Sequence, residues 1–197
     1  MRQGSSRHSE GPIVIFNTEE PVPGADKDEL VAVVDETGQV VNAALRSRVR
    51  EKNLLHASTA ILLRNSVGEI YVHQRSPEKD WRPAHYDAAN GGVILLGEEP
   101  LESGLRELYE ELGISGVKLT PLGTSLYQDN TVRVFEWVYE LLWDGEMEFR
   151  DQEVVWGEWM TMAKLKNKLV DPDWPFVPDT RYLLEKLAIA GVPGYTG

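Results

Sequence analysis

The sequence predicts an α/β fold in which a mixed β-sheet lies between layers of helices. Segments with the apolar patterning of strands occur on both sides of a short amphipathic helix near 100–113. That order of elements favours a mixed sheet covered by helices. The chain has 197 residues, of which 42% are hydrophobic and 26% charged, so it can bury the core of one globular domain.

The first half of the chain contains four predicted strands and one helix. Apolar residues in alternating or continuous runs indicate the strands, and a short basic segment between the second and third strands indicates the helix. The segment 66–69 supplies the turn between the last two strands. The predicted bounds are strands at 30–35, 39–44, 56–64 and 69–75, and a helix at 46–52.

The second half of the chain contains the amphipathic helix, three more strands and two further helices. The first two of these strands form a pair joined at Gln128-Asp129-Asn130, and the segment DPDWPFVP separates the last two helices. The predicted bounds are strands at 116–127, 131–143 and 154–160, and helices at 161–169 and 179–190.

The helix near 100–113 has an apolar face. Pro100 suits its first position, because a missing N–H costs nothing there, and Gly113 is a typical helix stop. Four leucines recur at steps of four, three and four residues, so they form one stripe that can pack against a sheet. They are Leu101, Leu105, Leu108 and Leu112.

A second face of this helix is crowded with glutamates. Glu107, Glu110 and Glu111 lie at i, i+3 and i+4, which brings their side chains together. Like-charged neighbours cost an isolated helix about 0.2–0.5 kcal/mol per pair, and a divalent cation would offset that cost. Hard oxygen ligands suit Mg²⁺, or Mn²⁺ as its substitute, bound together with substrate phosphates. A solvated acidic face is the alternative, but the helix contains no lysine to separate the glutamates.

Two more residues can complete this acidic site. Glu98 precedes the helix and can join the carboxylates or polarise a water. Arg106 is placed four residues after Glu102 and four before Glu110. It can therefore hold carboxylates in position by charge-assisted hydrogen bonds.

The spacing of these residues resembles a complete Nudix box. The stretch GVILLGEEPLESGLRELYEELGI at 92–114 fills every fixed position of that pattern. The resemblance implies a Nudix α/β/α sandwich and Mg²⁺-dependent attack of water on a diphosphate linked to another moiety. It implies Glu107, Glu110 and Glu111 as metal ligands, Glu98 as an accessory carboxylate, Arg106 as an orienting residue, and Gly91 and Gly92 as the loop that approaches metal and phosphates.

From about 29 to 187 the chain is similar to the branch of Nudix proteins that resembles isopentenyl-diphosphate isomerase. The similarity is carried by VDETGQVV at 33–40, LHASTAILLRNSVGEIYVHQRSPEKDW at 55–81, the box itself, and DQEVVWGEWMT at 151–161.

Three departures from the isomerase pattern favour hydrolysis. The catalytic cysteine of the isomerase precedes the box glycine, where this chain has Gly91, and the sequence contains no cysteine. The histidine ligand that follows is replaced by Val93. The second catalytic glutamate aligns with 130–133, where no carboxylate stands. These losses remove the acid and base of proton transfer, whereas every part needed for diphosphate hydrolysis remains.

Five residues outside the box are further candidates. Arg75, Lys79 and Arg82 lie where the isomerase-like relatives carry basic residues. We expect them either to bind the diphosphate or to belong to a solvated loop. Glu153 lies in a region from which Nudix enzymes often recruit a general base. The alternative interpretation is that Glu153 is an ordinary surface carboxylate. His56 begins a strand and is either a core residue or a second-site metal ligand.

The expected function is hydrolysis of the diphosphate linkage in a nucleoside diphosphate derivative or a related organic diphosphate. The alternatives are isomerase-type activity and a nucleotide-binding regulator without catalysis. The attached moiety is not encoded in the box, and Trp81 and Tyr127 either stack on it or belong to the core. The expected partner is a small-molecule diphosphate, with a homodimer as the default assembly of a small enzyme.

Charge and composition exclude several other classes. A net charge of −12 argues against nucleic-acid binding, because polyphosphate backbones select basic surfaces. The sequence shows no secretory leader and no apolar run of membrane-spanning length, so a cytoplasmic location is expected. The segment 1–27 contains Gly-Ser-Ser and prolines and is expected to be a flexible extension of a domain at 28–197.

Overall fold

The computed structural model describes residues 28–150 and 152–196, and the predicted flexible extension at 1–27 lies outside them. Within this described part, two strands and a helix precede four more strands, and a second helix is followed by three strands and two helices. The elements are β1 (Leu30–Val34), β2 (Val40–Leu45), α1 (Arg46–Lys52), β3 (Leu55–Arg64), β4 (Ile70–Arg75), β5 (Tyr86–Asp87), β6 (Ala89–Asn90), α2 (Pro100–Leu112), β7 (Thr120–Gln128), β8 (Arg133–Leu142), β9 (Val154–Met160), α3 (Met162–Leu169) and α4 (Pro178–Ile189).

Strand β3 is the centre of a mixed sheet. It pairs in parallel with β8 along its whole length, and it pairs antiparallel with β1, β4 and β6 at separate points. The sheet continues outward through the antiparallel pairs β1–β2, β8–β7, β4–β5 and β4–β9. The predicted mixed sheet is therefore confirmed.

Alternate residues of β3 face two different helical layers, as the period of a strand requires. Ile61 and Leu63 pack with Leu108 and Leu112 of α2, whereas Leu62 packs with the apolar residues of α3 and α4. Burial of each such side chain stabilises the fold by about 1.5–3 kcal/mol. The sheet is thus covered by α2 on one face and by α3 and α4 on the other, which confirms the predicted sandwich.

Helix α2 has the predicted ends. Pro100 occupies its first turn, and Gly113 ends it in the left-handed region at φ +68°. Leu108 and Leu112 are fully buried and Leu105 packs partly against the core. The prediction for Leu101 is wrong, because this residue, on the first turn of α2, is 45% exposed. The opposite face of the helix carries the glutamates.

The structure adds two short strands that the sequence pattern did not indicate. Strands β5 and β6 have two residues each, too few to show a periodicity, and they lie in the segment that leads to the Gly91-Gly92 turn. Strand β7 begins at Thr120 rather than at 116, because Gly116 adopts φ +70°. Among the described helices, none has the length and apolar character needed to cross a membrane.

Candidate active site

The turn at Gly91 and Gly92 brings the backbone close to the acidic face of α2. A Cβ at Gly92 would lie 2.5 Å from Oε1 of Glu107, and a Cβ at Gly91 would lie 2.4 Å from the carbonyl oxygen of Thr59. Gly91 also has φ +135° and donates its N–H to Oε2 of Glu111, with an N···O distance of 3.3 Å. Only glycine permits this approach of backbone to carboxylate.

Arg106 joins three of the predicted carboxylates. Its Nε and Nη2 donate to the two oxygens of Glu98 at 2.8 and 3.1 Å, a bidentate pair. Its Nη1 donates to Glu107 at 2.8 Å and to Glu110 at 2.9 Å. The hydrogen bonds to Glu98 and the neighbouring charges raise the pKa of Arg106, so the guanidinium stays charged. Burial alone would raise the pKa of Glu98, but its hydrogen bonds with Arg106 hold that pKa below the ordinary value.

The three predicted metal ligands differ in exposure. The side chain of Glu110 is 48% exposed and that of Glu107 is 13% exposed, while Glu111 is buried behind the Gly91 N–H. Burial raises the pKa of Glu107, despite the adjacent charge of Arg106. We call Glu98, Arg106, Glu107, Glu110 and Glu111 the acidic wall.

The donor set of the acidic wall fits a hard divalent cation. Its carboxylate oxygens are the ligands that Mg²⁺ prefers, and the glycine turn leaves room beside Glu107 that a side chain would fill. Within the described residues, no three acidic or histidine side chains converge on one point as metal ligands do. Arg106 instead bridges Glu107 and Glu110.

A cleft with cationic groups opens in front of the acidic wall. Arg106, Glu107 and Glu110 form one side of it, and the predicted Arg75 and Lys79 also line it. Burial lowers the pKa of Lys79, and the charge of Glu111 opposes that effect. The structure therefore brings these two predicted substrate-binding residues to the acidic wall.

Arg82 does not line the cleft with the other two basic residues. It lies beside Trp81, with its guanidinium carbon 5.7 Å from the centre of the indole ring, and its Nη2 lies 3.5 Å from the hydroxyl of Thr131. Trp81 itself does line the cleft and also has Arg50 and Arg75 near its ring, each at 5.8 Å.

Two cleft residues that the sequence analysis did not select come from α1. Arg46 and Arg50 lie at i and i+4, so they share a face of this short helix, and both line the cleft. Asp80 forms an ion pair with each of them, and its Oδ2 lies 3.6 Å from Nε of Arg46 and 3.2 Å from Nε of Arg50. Burial lowers the pKa of Arg50, while Asp80 opposes that effect. The basic character of 46–52 was visible in sequence, but its place beside the box was not. We call Arg46, Arg50, Arg75 and Lys79 the cationic wall.

Glu153 and His56 both line this cleft. Lys79 donates a hydrogen bond to Oε2 of Glu153, so the predicted base is held by a residue of the cationic wall. His56 is 3% exposed, and its Nδ1 lies 3.1 Å from the carbonyl oxygen of Leu54. Burial lowers its pKa to about 4, so the imidazole is neutral at pH 7.

The bottom of the cleft is formed by polar residues that the sequence analysis also missed. Asp87 and Asn90 come from β5 and β6, Glu136 from β8, and Asp179 from the first turn of α4. We call these four residues the cleft floor. Asp87 and Asn90 lie close together in sequence, but Glu136 lies 46 residues after Asn90 and Asp179 lies 43 residues after Glu136. No local spacing could therefore have indicated the four residues as a set.

The carboxyl groups of the cleft floor have raised pKa values, and burial is the main cause. Burial is the main cause that raises the pKa of Glu136 well above its ordinary value, and the negative charges of Asp179 and Asp87 raise it further. Burial and Asp87 raise the pKa of Asp179 to about 7. Burial also raises the pKa of Asp87, although Arg75, 3.7 Å away, opposes the rise. Burial therefore disfavours the charged forms of all three floor carboxyls.

Carboxylates and cationic side chains line one cleft beside the glycine loop, and this combination suits an enzyme that acts on phosphate anhydrides. A family model for the NUDIX domain matches residues 54–180, which is more than half of the chain. The chain therefore belongs to the Nudix family of hydrolases, enzymes that cleave pyrophosphate bonds. The prediction of a Nudix hydrolase is confirmed, and the resemblance to the isomerase-like branch stays a prediction.

Related proteins agree with this assignment. The chain is 40% identical over 167 residues to the uncharacterised Nudix hydrolase orf19 of Rhodococcus erythropolis, covering 80% of this chain and 90% of that protein. It is 32% identical over 152 residues to the uncharacterised Nudix hydrolase YfcD of Escherichia coli K12, covering 77% and 82%. The crystal structure of DR0079 from Deinococcus radiodurans superposes with a TM-score of 0.71 at 28% identity, covering 80% of this chain and 98% of that one.

Proposed function

We propose that this protein is a Mg²⁺-dependent hydrolase that cleaves the diphosphate linkage of a nucleoside diphosphate derivative or related organic diphosphate. The observation that carries the proposal is the pairing of two walls across one cleft. Glu107 and Glu110 of the acidic wall face the same space as Arg75 and Lys79 of the cationic wall. A diphosphate that neutralises the cations would lie against the carboxylates, where a divalent ion joins protein to phosphate oxygens.

The acidic wall holds the metal in this proposal. Glu107, Glu110 and Glu111 would hold Mg²⁺, with Mn²⁺ as a substitute, and the bound ion supplies charge neutralisation and a more acidic water. Glu98 keeps Arg106 in place through two hydrogen bonds. We expect Arg106 to keep that pair and to release Glu107 or Glu110 when the ion enters.

Glu153 is the proposed general base for the attacking water. A general base must be within reach of its water, and Glu153 lines the cleft, where Lys79 donates a hydrogen bond to it. The side chain of Glu153 is 37% exposed, which leaves it accessible to water in the cleft. Attack of that water on phosphorus releases phosphate or a nucleoside monophosphate.

Isomerase-type activity is the first alternative. Glu136, three residues beyond the stretch 130–133, places a buried carboxyl in the cleft, so the strand does carry an acid that the sequence alignment missed. The chain still contains no cysteine to act with it. A nucleotide-binding regulator is the second alternative, but such a protein does not need Arg106 and its three carboxylate partners together.

The test is release of phosphate or nucleoside monophosphate from a panel of organic diphosphates, with and without Mg²⁺. The native chain is compared with Glu111→Gln, and with Glu102→Gln as a matched control, because Glu102 is exposed on the first turn of α2. We expect metal-dependent turnover that falls at least ~100-fold in Glu111→Gln, which corresponds to about 2.7 kcal/mol of transition-state stabilisation, and is unchanged in Glu102→Gln.

Four results would contradict the proposal. Turnover that persists without divalent metal, or in Glu111→Gln, would show that the acidic wall does not support the reaction. No turnover of any substrate, with nucleotide binding intact, would favour the regulator, and formation of dimethylallyl diphosphate from isopentenyl diphosphate would favour the isomerase.

A further inference from the structure

The turn that approaches the acidic wall is preceded by a buried amide with no partner among the described residues. Asn90, the last residue of β6, is 1% exposed, and neither its Oδ1 nor its Nδ2 has a hydrogen-bond partner there. Buried amides are normally paired, because an unpaired buried donor or acceptor loses its hydrogen bonds to water. Asn90 lines the cleft, so a group that enters the cleft can supply the missing partners.

The strand register directs the side chain of Asn90 towards the helix that carries the glutamates. Asn90 is paired with Ile61 of β3, and directly opposed residues of an antiparallel pair point to the same face of the sheet. Ile61 packs with Leu108 and Leu112 of α2. The side chain of Asn90 therefore lies on the face of the sheet that α2 covers, which is the face of the acidic wall.

The two residues that follow Asn90 contact two of the proposed metal ligands. The N–H of Gly91 donates to Oε2 of Glu111, with an N···O distance of 3.3 Å. A Cβ on Gly92 would lie 2.5 Å from Oε1 of Glu107. Asn90 and Glu107 also line the same cleft. The unpaired amide is therefore one residue away from a hydrogen bond to the acidic wall.

Glu136 also has an unpaired atom on the cleft floor, but it lies on the other face of the sheet. It is two residues before Val138 on β8, and Val138 belongs to the apolar cluster formed with α3 and α4. Since alternate residues of a strand share a face, Glu136 points away from α2. Burial also raises its pKa, which disfavours the ionised form that a metal ligand needs. Glu136 is therefore not a candidate ligand for an ion at the acidic wall.

The glutamates of the acidic wall leave ligand positions that other oxygens must fill. In the part of the chain that the structure describes, no group of three acidic or histidine side chains converges as metal ligands do. Mg²⁺ demands near-octahedral coordination by oxygen, and carboxylate, carbonyl and water oxygens all suit it. Ligands from one helix approach an ion from one side. The amide oxygen of Asn90 is a neutral, hard ligand that the sheet presents to the same helix.

We propose that Asn90 is a ligand of the divalent ion at the acidic wall and binds it through the amide oxygen Oδ1. This inference rests on the proposed function, because it requires that the glutamates hold an ion. It adds to them a residue from β6, and it gives the unpaired amide a partner that is present only when the ion is bound. Nδ2 of the same amide can then donate to another oxygen in the shell of the ion.

The experiment measures binding of Mn²⁺ to the full chain without substrate, by electron paramagnetic resonance of the free ion and by calorimetry. Asn90→Leu and Asn90→Ala remove the ligand, and Asn90→Asp keeps an oxygen in its place and adds a charge. We expect the dissociation constant of Mn²⁺ to rise at least ~10-fold in the first two variants, and to be no higher than the native value in Asn90→Asp. Thermal unfolding without metal shows which variants are folded.

Trp143→Phe is the matched control. Nε1 of Trp143 is also buried and has no hydrogen-bond partner among the described residues, but Trp143 does not line the cleft. Its replacement therefore removes a buried unpaired donor far from the glycine turn in the sequence. We expect the affinity for Mn²⁺ to be unchanged in this variant. An equal loss of affinity in Trp143→Phe and Asn90→Leu would show a general effect on the fold and would overturn the assignment of Asn90.

Glu111→Gln separates this inference from the proposed function. If Mn²⁺ binding is weakened in Glu111→Gln but unchanged in folded Asn90→Leu or Asn90→Ala, Asn90 is not a ligand and the metal site of the hydrolase remains. Weaker binding in Asn90→Asp, similar to that in Asn90→Ala, would also overturn the assignment, because the oxygen in place of Oδ1 would then have no effect. If the native chain binds no Mn²⁺, the proposed metal-dependent function fails together with the inference.

Discussion

The acidic wall and the cleft floor are both rich in carboxyl groups, yet they solve the problem of buried charge in different ways. At the acidic wall, one guanidinium donates to Glu98, Glu107 and Glu110, and it holds the pKa of Glu98 below the ordinary value, although burial raises that of Glu107. At the floor, Arg75 lies 3.7 Å from Asp87, and burial raises the pKa of the floor carboxyls. A shared cation thus balances the carboxyl groups of the acidic wall, whereas burial is the main influence on those of the floor.

The two regions also differ in how the sequence encodes them. The acidic wall comes from fourteen consecutive positions, 98–111, and one helix fixes the relative directions of four of its five side chains. The floor is assembled from β5, β6, β8 and α4, so its geometry exists only after the sheet and the C-terminal helix have packed. The comparison therefore links local encoding with the ion-paired acidic wall and tertiary assembly with the buried polar floor.

The largest expected effect concerns the charge state of the floor. The pKa of Asp179 is raised from 3.8 to about 7 in the folded protein, so folding takes up a proton between about pH 4 and pH 7. The free energy of unfolding should fall as pH rises through this window, because the unfolded state binds fewer protons there. At about 1.36 kcal/mol per unit of pKa difference, the loss is at most roughly 4 kcal/mol.

Asp179→Asn should remove much of this pH dependence and make the protein more stable than the native chain at pH 8. Some dependence should remain, because burial still raises the pKa of Asp87 and Glu136, even though Arg75 and Lys186 oppose the rise. Urea unfolding at pH 4.5 and pH 8 measures the difference, with the exposed Glu146→Gln as the control. A variant whose stability parallels that of the native protein across this range would show that the floor is not protonated.

The same contrast explains which parts of the molecule could be predicted. Helix α2 and strands β3, β4 and β8 were found from apolar periodicity, which is a local signal. The glutamates of the acidic wall were found because a helix places i, i+3 and i+4 together. Arg46 and Arg50 were visible as a basic helix, but their position opposite the box depends on how α1 packs.

The cleft floor could not be predicted for a different reason. Strand β6 has two residues, too few for a pattern, and the burial of Asn90 without a hydrogen-bond partner among the described residues is seen only once the chain is folded. Glu136 lies inside an apolar strand, where its sequence context resembles that of the core. Arg82 is the opposite case, a residue that was predicted for the site and does not line it. In sequence it lies close to Arg75 and Lys79, but its side chain lies beside Trp81 and outside the cleft.

A second prediction concerns the charge balance of the acidic wall. Arg106→Ala leaves Glu98, Glu107 and Glu110 without their shared cation, so like charges face one another in a partly buried site. We expect the free energy of unfolding at pH 7 to fall by about 1–3 kcal/mol without metal. A divalent cation should recover part of that loss, because it neutralises the same carboxylates. Urea unfolding with EDTA and with Mg²⁺ measures both effects.

The control for this prediction is Arg48→Ala. Arg48 pairs with Glu51 at 2.8 Å on the exposed surface of α1, and such pairs contribute about 0.2–1 kcal/mol at most. The free energy of unfolding should therefore fall only slightly in Arg48→Ala, and the decrease should not depend on Mg²⁺. If Arg106→Ala behaved like Arg48→Ala in both conditions, the acidic wall would be a solvated surface rather than an ion site.

The smallest expected effect tests the cationic wall. Arg50 lines the cleft and Arg48 does not, although both lie on α1 and both pair with a carboxylate. Arg50→Gln should raise KM for a diphosphate substrate about three- to tenfold with little change in kcat, because one charge contact to a phosphate contributes about 1 kcal/mol in a partly solvated site. Steady-state kinetics at low and high salt measures this effect.

Arg48→Gln is the matched substitution on the same helix, and it should leave KM unchanged. The increase in KM for Arg50→Gln should shrink at high salt, because screening weakens the contact that the native arginine makes. An equal effect of the two variants would mean that α1 acts through the overall charge of the protein. An effect of Arg50→Gln on kcat alone would place Arg50 with the reacting groups of the acidic wall rather than with the residues that bind the diphosphate.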